Sequence, residues 1–369
     1  MVTSDDKLNS PSYAKLPDGI SREGLLEAVL RSGYPLQTAI ADTLEKIWER
    51  FDSFRLIQEE WAFVDGESGQ IRSIDLFAEL ELPTEVERTA VAPALNLLVE
   101  CKQSELPYIF FTRPNSPELH YSFPQIAGLK HKEIEFFFEA DGELNGASYL
   151  MSIHDTFAFW DIEFFGEPAP NALSIAKVLR KAGGKLELTG EEAYRAITLP
   201  LVKAADHLAE RCAPTAETEF FQCRFIICLA VLRAPMFSVM RANGADHLVP
   251  TRWVRGCRLE PPTESMHPAS SSTVRHFDMI HEDFLPEYME KLIESVKIVG
   301  ERIASQGAVV ASGRAIEGHR EADGESWIDM RAVDRNVERS PEQLAHRAKI
   351  TRTRSRFVFS LDEPSELTD

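Results

Sequence analysis

Three ionisable side chains stand where an apolar strand would ordinarily exclude them. The run Leu95-Asn96-Leu97-Leu98-Val99 leads straight into Glu100, Cys101 and Lys102, and upstream Asp75 is set between Ile74 and Leu76-Phe77. Burying a charge is costly unless it is paired or bound to a metal. Two carboxylates and one lysine, each embedded in a strand-like apolar run, point to a divalent-cation site with an ammonium beside it, the chemistry of phosphodiester hydrolysis. The competing reading is a structural Glu100–Lys102 pair on an edge strand.

The elements that must carry these residues are legible from periodicity. A first helix is predicted over Arg22 to Ser32, ending near Gly33. A second starts at Pro35 and runs to about Phe51, with Leu36, Ile40, Leu44 and Ile47 as its apolar stripe. Phe54 to Val64 and Ile71 to Ala78 read as two strands of a hairpin around the turn Asp65-Gly66-Glu67-Ser68-Gly69. Leu95 to Lys102 is a strand, and Leu106 to Thr112 is either a further strand or its continuation past a kink at Pro107. Thr189, followed by Glu191 and Glu192, starts a helix to about Arg211. Phe225 to Leu232 is a buried strand with Met236 to Met240 as a candidate partner, and Glu287 to Ile303 is an amphipathic helix. The parallel pieces in this order imply an α/β fold with a mixed central sheet flanked by helices.

Residues 1–20, rich in Ser, Pro and Asp, are expected to form a disordered lead-in. A main domain is expected over 21–305, with residues 113–187 as a large insertion of short aromatic runs, prolines and glycines. Residues 306–369 are charged, poor in large apolar groups, and expected to be a flexible C-terminal region.

The chain has 369 residues, 44 % hydrophobic and 27 % charged, ordinary for a globular protein. No apolar stretch reaches the roughly 18 residues needed to span a bilayer, and the acidic start Met1 to Asp6 is no secretory signal. The five cysteines are too few and scattered for a disulfide framework. Cys223 and Cys228 read as reduced core thiols, so a cytosolic compartment is expected. The net charge of −19 argues against a passive DNA-coating protein, but not against an enzyme with a local basic groove.

With Asp75 opening one core strand and Glu100-Cys101-Lys102 on the next, after a helix and a hairpin, the chain resembles the PD-(D/E)XK nuclease superfamily, which has the restriction endonuclease-like fold. The resemblance covers roughly residues 35–112, and 189–233 by element order; Ile74-Asp75 stands where the family often has Pro-Asp. It implies a metal-dependent nuclease acting on DNA, with Mg²⁺ or Mn²⁺ held by Asp75, Glu100 and the Cys101 carbonyl. Strand alternation puts Glu100 and Lys102 on one face, and Lys102 would orient the attacking water. Gln103 and Ser104 are candidates to position the scissile phosphate. The family usually draws another acid from the first core helix. Glu45 and Glu49 stand there, and Glu59 and Glu60 on the next strand are further candidates. The alternative is a catalytically inactive member acting as a nucleic-acid-binding or regulatory module. The resemblance leaves a homodimer open.

Among the remaining patterns, Arg347, Lys349, Arg352, Arg354 and Arg356 form the best phosphate-contacting cluster, against the reading of a solvated, charge-balanced tail. Lys130-His131-Lys132 reads as ordinary surface. His276 and His281 fit no zinc spacing, and Gly183-Gly184-Lys185 lacks the pattern of a phosphate loop.

Overall fold

The computed structural model describes residues 12–86, 89–113, 122–140, 143–166, 170–242, 244–260, 273–317, 330–333, 348–353 and 356–361. Ser21 caps α1 (Arg22–Arg31) by accepting the Gly24 N–H at 2.9 Å. Gly33, at φ 86°, turns the chain into α2 (Tyr34–Trp48), where Leu36, Ile40, Leu44 and Ile47 are buried at the spacing read from the sequence. β1 (Arg55–Val64) and β2 (Ile71–Glu81) form the hairpin, followed by β3 (Val91–Gln103) and β4 (Tyr108–Arg113). The segment read as an insertion folds into β5 (Gln125–Ala127), β6 (Glu133–Ala140), β7 (Glu143–Ser152), α3 (Ile153–Thr156), α4 (Glu163–Gly166), β8 (Asn171–Arg180) and the start of β9 (Leu186–Thr189).

Thr189 accepts the Glu192 N–H and starts α5 (Gly190–Ala193), as its position before two glutamates predicts. The helix widens into a five-residue π turn, Tyr194–Thr198, before α6 (Leu199–Arg211). Pro200 has no N–H for the carbonyl one turn back, so the ladder loosens there. β10 (Phe221–Arg233), β11 (Met236–Ala242), β12 (Ala245–Pro250), β13 (Trp253–Glu260) and β14 (Thr273–His281) precede α7 (Leu285–Ser305) and α8 (Gly307–Ser312). The described residues beyond add β15 (Arg314–Glu317), β16 (Met330–Ala332), β17 (Ala348–Thr353) and β18 (Arg356–Leu361).

The fold is mixed α/β. Its main sheet runs β1-β2-β3-β10-β14-β13-β8-β4-β11-β12, with β5 beside β10 and β9 beside β8. β1, β2 and β3 are antiparallel, while β10 is parallel to both β3 and β14. A second sheet, β16-β15-β6-β7-β17-β18, packs into the same core through Ile134, Phe136, Ala315 and Met330. Helices α2 and α7 cover one face of the main sheet and α6 the other. None of the described helices is long and apolar enough to cross a membrane. All five cysteines are free, and Cys223 and Cys228 are buried in the core.

One pairing departs from expectation. β11 is not the partner of β10; it pairs with β4 and β12. Both β3 and β10 bend before a proline, Pro107 and Pro235, and continue side by side as the parallel pair β4 and β11. The β3–β10 ladder closes at Gln103 and Arg233, and Pro107 and Pro235, which have no N–H to donate, lie in the bends that follow.

The turn of the first hairpin is built on Asp65, which is buried beneath its own loop rather than in a dense core. Its carboxylate accepts Arg72 Nε at 2.7 Å, the Ser68 hydroxyl at 2.8 Å and the Glu67 N–H at 3.1 Å. The Arg72 hydrogen bond, first among these, lowers its pKa to about 2. A depressed carboxyl stabilises fully above its ordinary pKa and loses that contribution as pH falls through the folded value. Asp65→Ala is therefore expected to cost about 1–2 kcal/mol at pH 7 in urea unfolding, a difference that shrinks between pH 4 and pH 2.

Candidate functional site

The β2–β3 ladder ends at the pair Leu76 and Val99, so Asp75 and Glu100 come next, facing each other where the strands part. Instead of continuing the ladder, Asp75 Oδ2 accepts the Cys101 N–H at 2.6 Å. A strand residue points its N–H and C=O to the same edge, so the Cys101 carbonyl also faces this fork. Lys102, two residues past Glu100, returns to the same side: its Nζ donates to Asp75 Oδ2 at 3.3 Å and to Glu100 Oε2. The three residues that strand position brought into question thus meet in one cluster. Cys101 lies among the apolar residues on the opposite, α2–α7 side.

The cluster is partly sealed. Glu100 is 3 % exposed, whereas Asp75 and Lys102 keep about a quarter of their side chains accessible. Glu100 and Lys102 lie opposite Ala230 and Leu232 of β10, within the apolar layer that α6 covers. Burial pushes the Glu100 carboxyl up to about 8, against the pull of Lys102 and with a further push from Asp75. Burial alone would lower the Lys102 ammonium, but the fields of Glu100 and Asp75 outweigh it and leave it raised.

The hairpin beside the cluster changes face at this level. Ile57 packs on the α2–α7 side, yet Trp61 and Phe63 belong to the α6 side; on the partner strand Leu76 and Ile74 divide in the same way. Glu60, at φ 50°, lies between the pairs Glu59–Leu76 and Trp61–Ile74, directly across from Asp75. A left-handed backbone is unfavourable for a residue with a Cβ, by about 1–2 kcal/mol. Glu60→Gly is expected to be neutral or stabilising by up to about 1 kcal/mol, and Glu60→Val destabilising by about 1–2 kcal/mol despite its strand preference; urea unfolding of both variants checks this.

The additional acids divide sharply. Glu45 and Glu49 lie exposed on α2, and the α2 residue that reaches β1 is the buried Gln37, whose Nε2 donates to Glu59 at 3.3 Å. Gln103 Nε2 holds the Leu30 carbonyl at 3.1 Å, tying α1 to the end of β3. The Ser104 hydroxyl donates to the Leu106 carbonyl and accepts its N–H, shaping the bend into β4. Both candidates for phosphate positioning therefore already serve the backbone.

Arg352 lies on β17 in the second sheet, opposite Phe357, while Arg347 and Arg354 fall outside the described residues. His276 packs on the Phe123 ring and His281 caps the turn before α7, so the two do not share a site. Among the described residues no group of three or more His, Cys, Asp or Glu is arranged to hold a metal. The donor set at the fork is two carboxylates and one backbone carbonyl, which suits a hard cation that keeps several waters.

Two residues near the cluster escaped the sequence reading. Tyr108, at the start of β4, lies opposite Lys177 of β8, and Lys177 pairs with Glu192 at 2.9 Å. No local pattern marks them, because their proximity to Lys102 depends on the bend at Ser104–Pro107.

The sequence matches no protein-family model, and neither curated proteins nor solved structures show a match to it.

Proposed function

We propose that the protein is a metal-dependent nuclease that hydrolyses phosphodiester bonds in DNA. The observation that carries this reading is the convergence of Asp75, Glu100 and Lys102 at the β2–β3 fork, with the Cys101 carbonyl facing the same gap. When ionised, the two carboxylates exceed the one ammonium beside them and leave a negative charge uncompensated in a largely buried place. Mg²⁺ or Mn²⁺ fits that donor set, held by Asp75, Glu100 and the Cys101 carbonyl. Such a cation polarises a phosphoryl oxygen and lowers the pKa of bound water. The chain's own part is to hold the carboxylates rigidly on two paired strands and to aim the Lys102 ammonium at the developing phosphate charge.

One observation favours the alternative, a nuclease-like module that binds nucleic acid without cutting it. The α2 residue turned toward β1 is Gln37 rather than an acid. The deciding experiment is cleavage of plasmid and single-stranded DNA by purified protein with Mg²⁺, Mn²⁺ or EDTA, alongside Asp75→Ala and Lys102→Ala. Metal-dependent cutting lost in both variants supports the nuclease. Cutting that survives both overturns the site, and an inert wild type that still binds DNA moves the reading to the binding module.

A further inference from the structure

Beyond the fork, a second cation stands on the same side of the sheet. Tyr108 belongs to the apolar layer that contains Leu98 of β3, Ala230 and Leu232 of β10, and Ile197 and Leu201 of the α6 region. Glu100 and Lys102 lie opposite Ala230 and Leu232 in the parallel register, so Tyr108 shares their side. The antiparallel register of β4 and β8 sets Lys177 directly opposite Tyr108. The connection from Lys102 to Tyr108 is short and held tight by the Ser104 hydroxyl.

Tyr108 is only 3 % exposed, yet its hydroxyl has no hydrogen-bond partner among the described residues. Burial raises its phenol above the ordinary range, against a smaller downward pull from the ammonium groups of Lys177 and then Lys102. Lys177 reaches Glu192, in the first turn of α5, at 2.9 Å, and about half of the Glu192 side chain is exposed. An ion pair of that exposure contributes little and is readily exchanged for a better anion.

We propose that Lys177 and the Tyr108 hydroxyl form a second phosphate-contacting position beside the Asp75–Glu100–Lys102 cluster, taking the DNA phosphate next to the scissile one in place of Glu192. The inference rests on the nuclease reading above. Lys177 and Tyr108 are positioning residues: they align the strand and touch no reacting atom. Glu192 acts as the counter-ion that keeps the lysine ordered when no strand is bound.

The test is binding of a short DNA duplex in EDTA, followed by fluorescence anisotropy over a range of salt concentrations. Lys177→Ala is expected to weaken binding about three- to tenfold and to reduce the slope of log K against log salt by about one. Glu192→Gln is expected to tighten binding, and that gain disappears in the Lys177→Ala background. Tyr108→Phe keeps the packed ring and is expected to weaken binding about two- to fivefold. Lys177→Arg should restore most of the affinity. Lys185→Ala, an exposed lysine at the β8–β9 turn, controls for simple loss of charge and should change neither affinity nor slope. If wild-type protein binds and cuts DNA but Lys177→Ala leaves affinity and slope unchanged, the second position is wrong and the nuclease reading stands. If wild type neither binds nor cuts, the nuclease reading falls and takes this inference with it.

Discussion

Lys102→Ala is expected to lower metal-dependent DNA cleavage by at least about a hundredfold, the loss seen when a donor aimed at developing charge is removed. Lys102 Nζ is the ammonium that touches both Asp75 and Glu100, so its loss removes charge stabilisation and the group that holds the carboxylates together. Lys102→Arg should not rescue, because a planar fork cannot occupy the point between two facing carboxylates. Asp75→Ala is expected to be as damaging to cleavage but also harms the fold. It strands the Cys101 N–H, which Asp75 accepts at 2.6 Å, and an unsatisfied buried donor costs about 1–3 kcal/mol. Asp75→Asn is the cleaner probe, since its amide oxygen can keep that hydrogen bond while the charge is lost. Initial rates on supercoiled plasmid, measured beside thermal melting of each variant, separate lost chemistry from lost fold. Cleavage in Asp75→Asn at more than a tenth of the wild-type rate would sink the assignment.

The largest expected loss of stability lies elsewhere. Arg255 and Asp278 are both 0 % exposed and face each other across β13 and β14, with Nε–Oδ1 at 2.8 Å and Nη2–Oδ2 at 3.0 Å. Tyr288 of α7 donates its hydroxyl to Asp278 Oδ2 at 2.8 Å, and the Arg255 guanidinium stacks 3.6 Å from the Phe123 ring centre. Burial first, and then the Asp278 charge, raises the Tyr288 phenol well above its ordinary pKa. Removing one member of a buried pair leaves the other uncompensated, so Asp278→Ala is expected to cost about 3–5 kcal/mol. For a protein of this size that lowers Tm by roughly 4–6 °C. Tyr288→Phe removes a hydrogen bond to a charged group and should cost about 1.5–3 kcal/mol. The double variant Arg255→Met with Asp278→Leu should recover most of the Asp278→Ala loss, because a well-packed apolar pair replaces the ions. A single Asp278→Ala within 1 kcal/mol of wild type would show that the network is not load sharing with the fold. Asp278 lies opposite Leu229, one position from the Ala230 that faces Glu100, so stability and site geometry meet on β10.

Residues 253–281 also show why sequence reading fails where it does. β13 and β14 carry Arg255, Arg258, Arg275, His276 and Asp278, and such strands lack the apolar alternation that reveals β1 or β10. Of these, Arg255 and Asp278 are fully buried, and their charges are acceptable inside only because they pair with each other across the two strands and Tyr288 of α7 donates to Asp278. That is a tertiary fact with no local signature.

The sequence by itself determined the elements whose own residues record which of their faces are buried, one for the helices and both for β3 and β10. These are α2 by its four-residue stripe, β3 and β10 by their aliphatic runs, the α5–α6 start by Thr189 with two glutamates, and α7 by its amphipathic period. It also determined that Glu100 and Lys102 share a face, because strand side chains alternate. Only the tertiary structure decided that Asp75 faces Glu100 and that Glu60 bends the hairpin opposite them. It alone brought Tyr108 and Lys177 into register and left Gln103 and Ser104 serving the backbone. The physical reason is that periodicity records what each element hides from water, whereas sheet register and helix docking are set jointly by partners distant in the chain.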